Sequence, residues 1–433
     1  MSERKIIVNG TIITVNEKND VFSNGAIAFE NGDITYVGEV PEDLSSYDEV
    51  IDAKGNYILP GLINTHGHSP MSYLRGYADD LPLEQWLQEK MWPLEERYTP
   101  EHTRWGAYLS ILEMLRTGTT TFVDMYDNLD EVAQAVEYSG IRAKLCRGVI
   151  GFGSDELRKS KLEEATNFAE NWNNGADGRI TTMMSPHSAY TCTPEYIKQI
   201  VDAAEKLNLP IHIHMSESKT EVEQIQREYG KLPVKHLQSI GVFERPTLLA
   251  HAVHVTEEEM DILAKYDVKV SHNIISNLKL ASGIAPIKDF LEKGITVSLG
   301  TDSSASNNNL DLFEELKQVA ILHKGIQYDS TLITAGEALR MATINGAQSL
   351  WLEQSIGSLE VGKQADIIII DTNQPFYHPK HDAVSHIVYA GSGRDVNDVF
   401  VKGKQVVKNK EVLTIDQEKV FYEVARLFKT LEK

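Results

Sequence analysis

The sequence predicts an α/β protein: a (β/α)8, TIM-like barrel with a small β-sandwich-like domain formed by both chain termini. Three observations predict it. Eight short apolar runs alternate with helical patterns through the middle of the chain. Both ends are rich in short strand-like runs and turns, with little room for a core of their own. Histidines and acids stand just after the apolar runs, at the strand ends where such a barrel carries its chemistry. The 433 residues, 42% hydrophobic and 24% charged, are enough for one large domain with an accessory unit.

Residues 1–57 form the first part of the β unit. Ile6–Val8 and Thr11–Val15 are strand-like around Asn9-Gly10, and Ala26–Phe29 turns at Asn31-Gly32 into Ile34–Val37. Asn-Gly between apolar runs is a hairpin signal. Residues 58–357 hold the barrel. Its expected strands are Gly61–His66, Thr119–Met125, Ala143–Val149, Ile180–Ser185, Pro210–Met215, Thr247–Ala250, Val268–His272 and Thr296–Gly300. Helical patterns such as Thr103–Arg116, Pro194–Leu207, Glu257–Lys265 and Ala285–Lys293 separate them. Residues 358–433 return to short strands: Asp366–Ile370, Val384–Tyr389, and Val399–Val401 turning at Lys402-Gly403 into Gln405–Val407. A helix over Asp416–Leu431 closes the chain.

Several function classes are disfavoured at once. A formal net charge of −21 repels phosphate backbones, so nucleic acid is not an expected partner. Only Cys146 and Cys192 occur, which leaves no disulfide framework and no thiolate cage; both read as small buried hydrophobes. No signal-peptide pattern opens the chain and no apolar stretch reaches membrane-spanning length, so the expectation is a cytoplasmic protein with no membrane partner.

The chemistry lies at the strand ends. His66 and His68 are spaced i, i+2, which puts both imidazoles on one face of an extended strand. Strand five carries His212, His214 and then Glu217; strand six ends in His251; strand eight ends in Asp302. Three imidazoles and one carboxylate converging on a barrel mouth suit a divalent cation such as Zn2+, with water in the remaining position. Such a site also accepts Fe2+ or Mn2+. His212 alternates with His214 and so points away, while His254 and His272 read as packing residues, as do Trp92 and Trp105. The run Glu257–Glu259 after Thr256 reads as a helix start, where carboxylates complement the dipole.

GLINTHGH, PIHIHMSE, LLAHAVH, SHNIISNLKLASGIAP and SLGTDSSASNN together resemble the amidohydrolase superfamily. Within it they are most similar to the 5-methylthioadenosine/S-adenosylhomocysteine deaminases, and the resemblance covers essentially the whole chain. It implies that His66, His68, His214 and Asp302 bind one zinc per subunit, and that Glu217, His251 and Asp302 are catalytic. It further implies substrate contacts from Trp86, Glu95, Arg147, Arg158, His187, Glu217 and Ser306. A carboxylate at Glu95 suits the vicinal hydroxyls of a ribose, and two arginines suit an amino-acid carboxylate. The stretch Arg179–Thr193 contains no lysine, which departs from members holding two bridged metals and favours one.

The implied reaction is hydrolytic deamination of 5′-methylthioadenosine and S-adenosylhomocysteine, with adenosine a slower substrate, giving the inosyl product and ammonia. A small-molecule nucleoside is then the partner, and a homo-oligomer is consistent with the family. The alternative within the superfamily is a guanine or cytosine deaminase or a triazine hydrolase. A non-catalytic scaffold on the same barrel is a third reading, and it sits badly with a complete set of ligands.

Overall fold

The computed structural model describes residues 3–431. Its eight barrel strands are Leu62–Asn64, Thr119–Tyr126, Arg142–Val149, Ile180–Thr182 continued by Ser185–Pro186, Ile211–Met215, Thr247–His251, Val268–His272 and Thr296–Leu299. They pair in parallel as two groups of four successive strands. Parallel bridges Met184 to Ile211 and Gly67 to Asp302 close the ring, helped by Thr65 N–H donating to the Leu299 carbonyl at 2.9 Å. These strands are buried on both faces, which is why they read as near-continuous apolar runs.

Capping fixes where the outer helices begin. Thr193 accepts the N–H of Tyr196 ahead of Pro194–Leu207, and Ser218 accepts that of Glu221 ahead of Lys219–Tyr229. Thr256 and Glu259 form a reciprocal box at Glu257–Leu263, so the acidic run is indeed a helix start. Each such cap contributes about 1 kcal/mol.

The termini meet in one nine-stranded sheet. Tyr57–Pro60 is the joining strand, parallel to Arg4–Ile13 on one side and antiparallel to Ile367–Ile370 on the other. Ile7, Ile27 and Phe29 from the first part pack with Ile367, Ile369 and Phe400 from the last, so neither part has its core without the other. The chain enters the barrel at Gly61, where a Cβ would lie 2.1 Å from Thr120 Oγ1; only glycine lets the two strands approach so closely.

Two expectations at the ends need correction. Asn9-Gly10 is no hairpin turn: Arg4–Ile13 is one strand, and Asn9 (φ 59°) lies where its register against the next strand shifts. The turns at Asn31-Gly32 and Lys402-Gly403 do form, with positive φ at all four residues. Val384–Tyr389 is helical, not a strand. Asp382 accepts the N–H of Ser385 at 2.6 Å and starts a turn that runs on through His386–Ala390. That turn buries Ile387 and Val388 on one side, and packing overrides their β-branched preference.

One segment outside the barrel matters for the site. Leu83–Gln85, a π-helical turn at Trp86–Met91, and Trp92–Glu95 form an arm over the barrel mouth. Its Trp86, Met91 and Leu94 belong to an apolar cluster with Leu427 and Leu431 of the terminal helix Gln417–Leu431. No described helix is long and apolar enough to cross a membrane.

Candidate active site

The polar cluster at the barrel mouth is built from its backbone outward. His68 Nδ1 donates to the Met125 carbonyl at 2.6 Å, and His214 Nδ1 donates to the His187 carbonyl at 2.9 Å. His212 Nδ1 donates to the Leu248 carbonyl at 2.9 Å, which leaves its Nε2 to accept from His66 Nδ1, also at 2.9 Å. A carbonyl can only accept, so these bonds fix the tautomers of all four rings. The Nε2 lone pairs of His66, His68 and His214 are left converging on one point. His212 does point away, as its alternation with His214 predicts, yet it aims His66.

Asp302 completes the group. Its Oδ2 accepts from Ser276 Oγ at 2.6 Å and Ser306 Oγ at 2.8 Å. That leaves Oδ1 at 3.4 Å from His66 Nε2 and 3.3 Å from His68 Nε2. Burial alone raises a carboxyl group's pKa, but the two imidazoles outweigh it and hold Asp302 well below the usual carboxylate range. Burial holds His66 and His214 well below the ordinary imidazole range, so both are neutral, the form that ligates a metal.

The donor set fits a divalent cation. His66 Nε2 is buried without a hydrogen-bond partner, and the Nε2 atoms of His68 and His214 face each other at 3.4 Å. The candidate ligand atoms of His66, His68 and His214 lie within 4.8 Å of one another, as do those of His66, His251 and Asp302. Three imidazole nitrogens and a carboxylate oxygen are a zinc-type set.

Two more groups flank that point. His251 ends the sixth strand in the left-handed region (φ 73°), a conformation costing a non-glycine residue about 1–3 kcal/mol and concentrated at functional sites. Its Nδ1 pairs with Asn277 Oδ1 at 2.8 Å, and its Nε2 lies 3.6 Å from Glu217 Oε2. Glu217 is held from behind, because Glu221 accepts the backbone N–H groups of Ser216 and Glu217, each at 2.8 Å. Burial pushes the Glu217 carboxyl group up, toward the protonated form a proton donor needs. Asp124 anchors the turn after His68 by accepting the Ser69 N–H at 2.9 Å.

A cavity of about 650 Å³ opens from this cluster, within the range of small-molecule sites. Trp86, Glu95, His187 and Glu217 line it. The Trp86 indole N–H is buried without a partner. Tyr126 donates its hydroxyl to Glu95 Oε1, and burial pushes Glu95 up to about 7. Trp92, expected in the core, stands in the cavity wall edge-to-face with Phe152, ring centroids 6.2 Å apart.

Three expected contacts sit elsewhere. Ser306 is buried beneath Asp302, its hydroxyl given to that carboxylate rather than offered to a ligand. Arg147 bonds Glu164 through Nε at 3.2 Å, the Gly148 carbonyl through Nη1 at 2.5 Å, and Asp127. Arg158 bonds the carbonyls of Gly151 at 3.2 Å and Gly153 at 2.8 Å, and Asp155. Neither arginine lines the cavity; Asp127 and Lys161 do.

Sequence reasoning missed Glu221, Asn277, Ser276 and Asp124. Glu221 alone left a signal, in the Ser218-x-x-Glu221 spacing of a helix start, but its carboxylate reaches past Ser218 to the loop that carries Glu217.

Comparison with known proteins agrees with this geometry. Residues 57–406 match the model of the amidohydrolase family. A 5-methylthioadenosine/S-adenosylhomocysteine deaminase of Thermoanaerobacter pseudethanolicus is 47% identical over 98% of this chain and 99% of its own length. One from Halalkalibacterium halodurans is 47% identical over 96% of each. Among solved structures, an adenosine deaminase from Xanthomonas campestris with bound zinc superposes with a TM-score of 0.94. It is 32% identical and covers 99% of this chain and 98% of its own. An atrazine chlorohydrolase from Arthrobacter aurescens complexed with zinc gives a TM-score of 0.91 at 25% identity, over 98% and 100%. With the barrel, the histidine–aspartate cluster and near full-length identity in agreement, the chain belongs to the amidohydrolase family, in the branch of the 5-methylthioadenosine/S-adenosylhomocysteine deaminases.

Proposed function

We propose that this chain is a zinc-dependent aminohydrolase that converts 5′-methylthioadenosine and S-adenosylhomocysteine to their inosyl products and ammonia, with adenosine a slower substrate. One observation carries the substrate class. Glu95, steadied by Tyr126, lines the same cavity as Glu217 and Asp302, where it would accept the hydroxyls of a ribose. A free base has no hydroxyls for that carboxylate, which argues against guanine, cytosine or a triazine. The names of the 47% identical relatives support the same choice.

His66, His68, His214 and Asp302 would hold the cation. When bound, a divalent cation there supplies the acidification of water, lowering its pKa to about 7. The protein groups do the rest. Asp302 takes the proton of the attacking water on the oxygen that Ser276 and Ser306 leave free. His251, aimed by Asn277, orients that water toward the amino-bearing carbon. Glu217 gives its proton to the adjacent ring nitrogen as that carbon becomes tetrahedral. The proton collected by Asp302 then leaves with the amine as ammonia as the C–N bond breaks, and the hydroxyl proton of the tetrahedral carbon passes to Glu217 as the carbonyl forms, restoring the acid. His187 contacts the purine, and Trp86 walls it.

Zinc as the native ion is supported by the zinc in the two solved neighbours and by the donor set. A cytoplasmic location and a homo-oligomeric state belong to the same reading. The test is ammonia release by zinc-loaded protein on S-adenosylhomocysteine, methylthioadenosine, adenosine, adenine and guanine. Turnover of the nucleosides and not of the free bases is expected; turnover of a free base alone would sink the substrate assignment.

A further inference from the structure

Behind Asp302 lies a buried acid that the steps above do not use. Glu315 is fully buried on the helix Leu312–Gln327, which follows the eighth barrel strand, and it lines no part of the cavity. Among the described residues, no lysine, arginine or histidine lies within 4.0 Å of its carboxyl group. A buried carboxyl group is costly unless hydrogen bonds hold it. Glu315 has two donors, and they come from two different segments. Its Oε1 accepts Asn307 Nδ2 at 2.7 Å, and its Oε2 accepts the Ile275 N–H at a longer 3.4 Å.

Each donor leads to Asp302. On the eighth-strand side, Asn307 also gives Nδ2 to the Thr301 carbonyl at 2.8 Å and its backbone N–H to the Ser303 carbonyl at 3.0 Å. These bonds close the 301–307 loop around Asp302, and from that loop Ser306 Oγ reaches Asp302 Oδ2 at 2.8 Å. On the seventh-strand side, Ile275 lies in the first turn of the short helix Ile274–Lys279. The first N–H groups of a helix have no partner within it, and the Asn273 side chain ahead of this helix does not cap it. Glu315 takes one of them and so pins the turn that carries Ser276, whose Oγ reaches the same Oδ2 at 2.6 Å. Asn277, next along, holds His251 Nδ1 at 2.8 Å. Asp302 itself is left-handed (φ 60°), a strained conformation for a non-glycine residue that persists only where its surroundings impose it.

We infer that Glu315 is a positioning residue that ties together the loops after strands seven and eight. The tie holds Ser276 and Ser306 on Asp302 Oδ2, which keeps Oδ1 facing the water that Asp302 deprotonates. It also steadies Asn277 behind His251. Both groups facing Glu315 are donors, so both of its oxygens must accept. An amide has one acceptor oxygen and one donor nitrogen, so Glu315→Gln must break one of the two ties. The inference rests on the deaminase reading above and adds what sets the direction of its base.

The test measures kcat, KM and zinc content of Glu315→Gln, with thermal unfolding of the metal-free protein as the check on folding. At saturating zinc, kcat should fall about tenfold, as for residues that support metal ligands, while KM changes less than about twofold. Zinc content should stay that of the wild type. A double-mutant cycle separates positioning from a general loosening of the fold. Ser306→Ala should lower kcat in the wild type and cost little more in the Glu315→Gln background, where that hydroxyl has already lost its aim. Should Glu315→Gln not fold, Asn307→Ala cuts the eighth-strand tie alone, and the same non-additivity with Ser306→Ala is expected of it. Unchanged kcat, a change in KM alone, or losses that multiply would overturn the positioning role and leave the deaminase reading intact. No turnover of any nucleoside by the wild type overturns both.

Discussion

The inner and outer ends of the cavity are built on different principles. At the inner end every functional atom is aimed by a buried partner: His66 by His212, His68 by Met125, His214 by His187, Asp302 by Ser276 and Ser306, and Glu217 by Glu221. Most of those supports come from barrel strands or from the loops just beyond them, so little reorganisation is left for the reaction. At the outer end the charged groups lining the cavity, Asp127 and Lys161, sit on a loop and a helix, and Asp127 is 58% exposed. The first arrangement suits chemistry that tolerates no error in position. The second leaves its groups within reach of solvent.

The largest effect separating the two ends is metal removal. Dialysis against a chelator should abolish ammonia release, and zinc should restore it. If zinc binds only the folded state, a thousandfold excess over its Kd stabilises the fold by about 4.1 kcal/mol. Thermal denaturation with and without zinc measures that. If zinc stabilised His214→Ala as much as the wild type, the ion would bind elsewhere.

Glu217→Gln comes next. Removing a positioned proton donor should lower kcat about 10²–10⁴-fold, with KM moving far less. A wild-type-like kcat would reassign the proton donor.

Glu95→Gln should act on binding. Losing a buried charged hydrogen-bond partner costs about 1–3 kcal/mol, or roughly 5- to 150-fold in KM for nucleosides. The sign of the pH effect follows from its raised pKa. Glu95 loses its proton as pH rises through about 7, and the carboxylate is the better acceptor for ribose hydroxyls. Wild-type KM should therefore fall between about pH 6 and 8, and that slope should vanish in Glu95→Gln. A slope that survives the substitution assigns it to another group.

The smallest effect is at Glu221. Glu221→Gln keeps one acceptor oxygen for two backbone donors, which should loosen the Glu217 loop. About a tenfold loss in kcat, or 1.4 kcal/mol, is expected, with zinc content unchanged. A loss of zinc instead would show that Glu221 supports the whole fifth-strand loop.

What the sequence by itself determined is the set of parts and their order. The apolar runs placed all eight barrel strands, because strands buried on both faces carry a strong local signal. The i, i+2 spacing of His66 and His68 and the alternation of His212 with His214 follow from strand geometry alone. Local pattern failed at Asn9-Gly10 and at Val384–Tyr389, where pairing partners and packing outweighed turn and strand propensities. Only the tertiary structure decided what stands behind the site. Glu221, Asn277 and Ser276 are ordinary polar residues in the sequence and become buried supports when distant segments meet. The same meeting ties Arg147 to Asp127 and Glu164 and leaves Lys161 facing the cavity. A side chain's charge is written in its residue type; whether that charge is free depends on which neighbours the fold brings within reach.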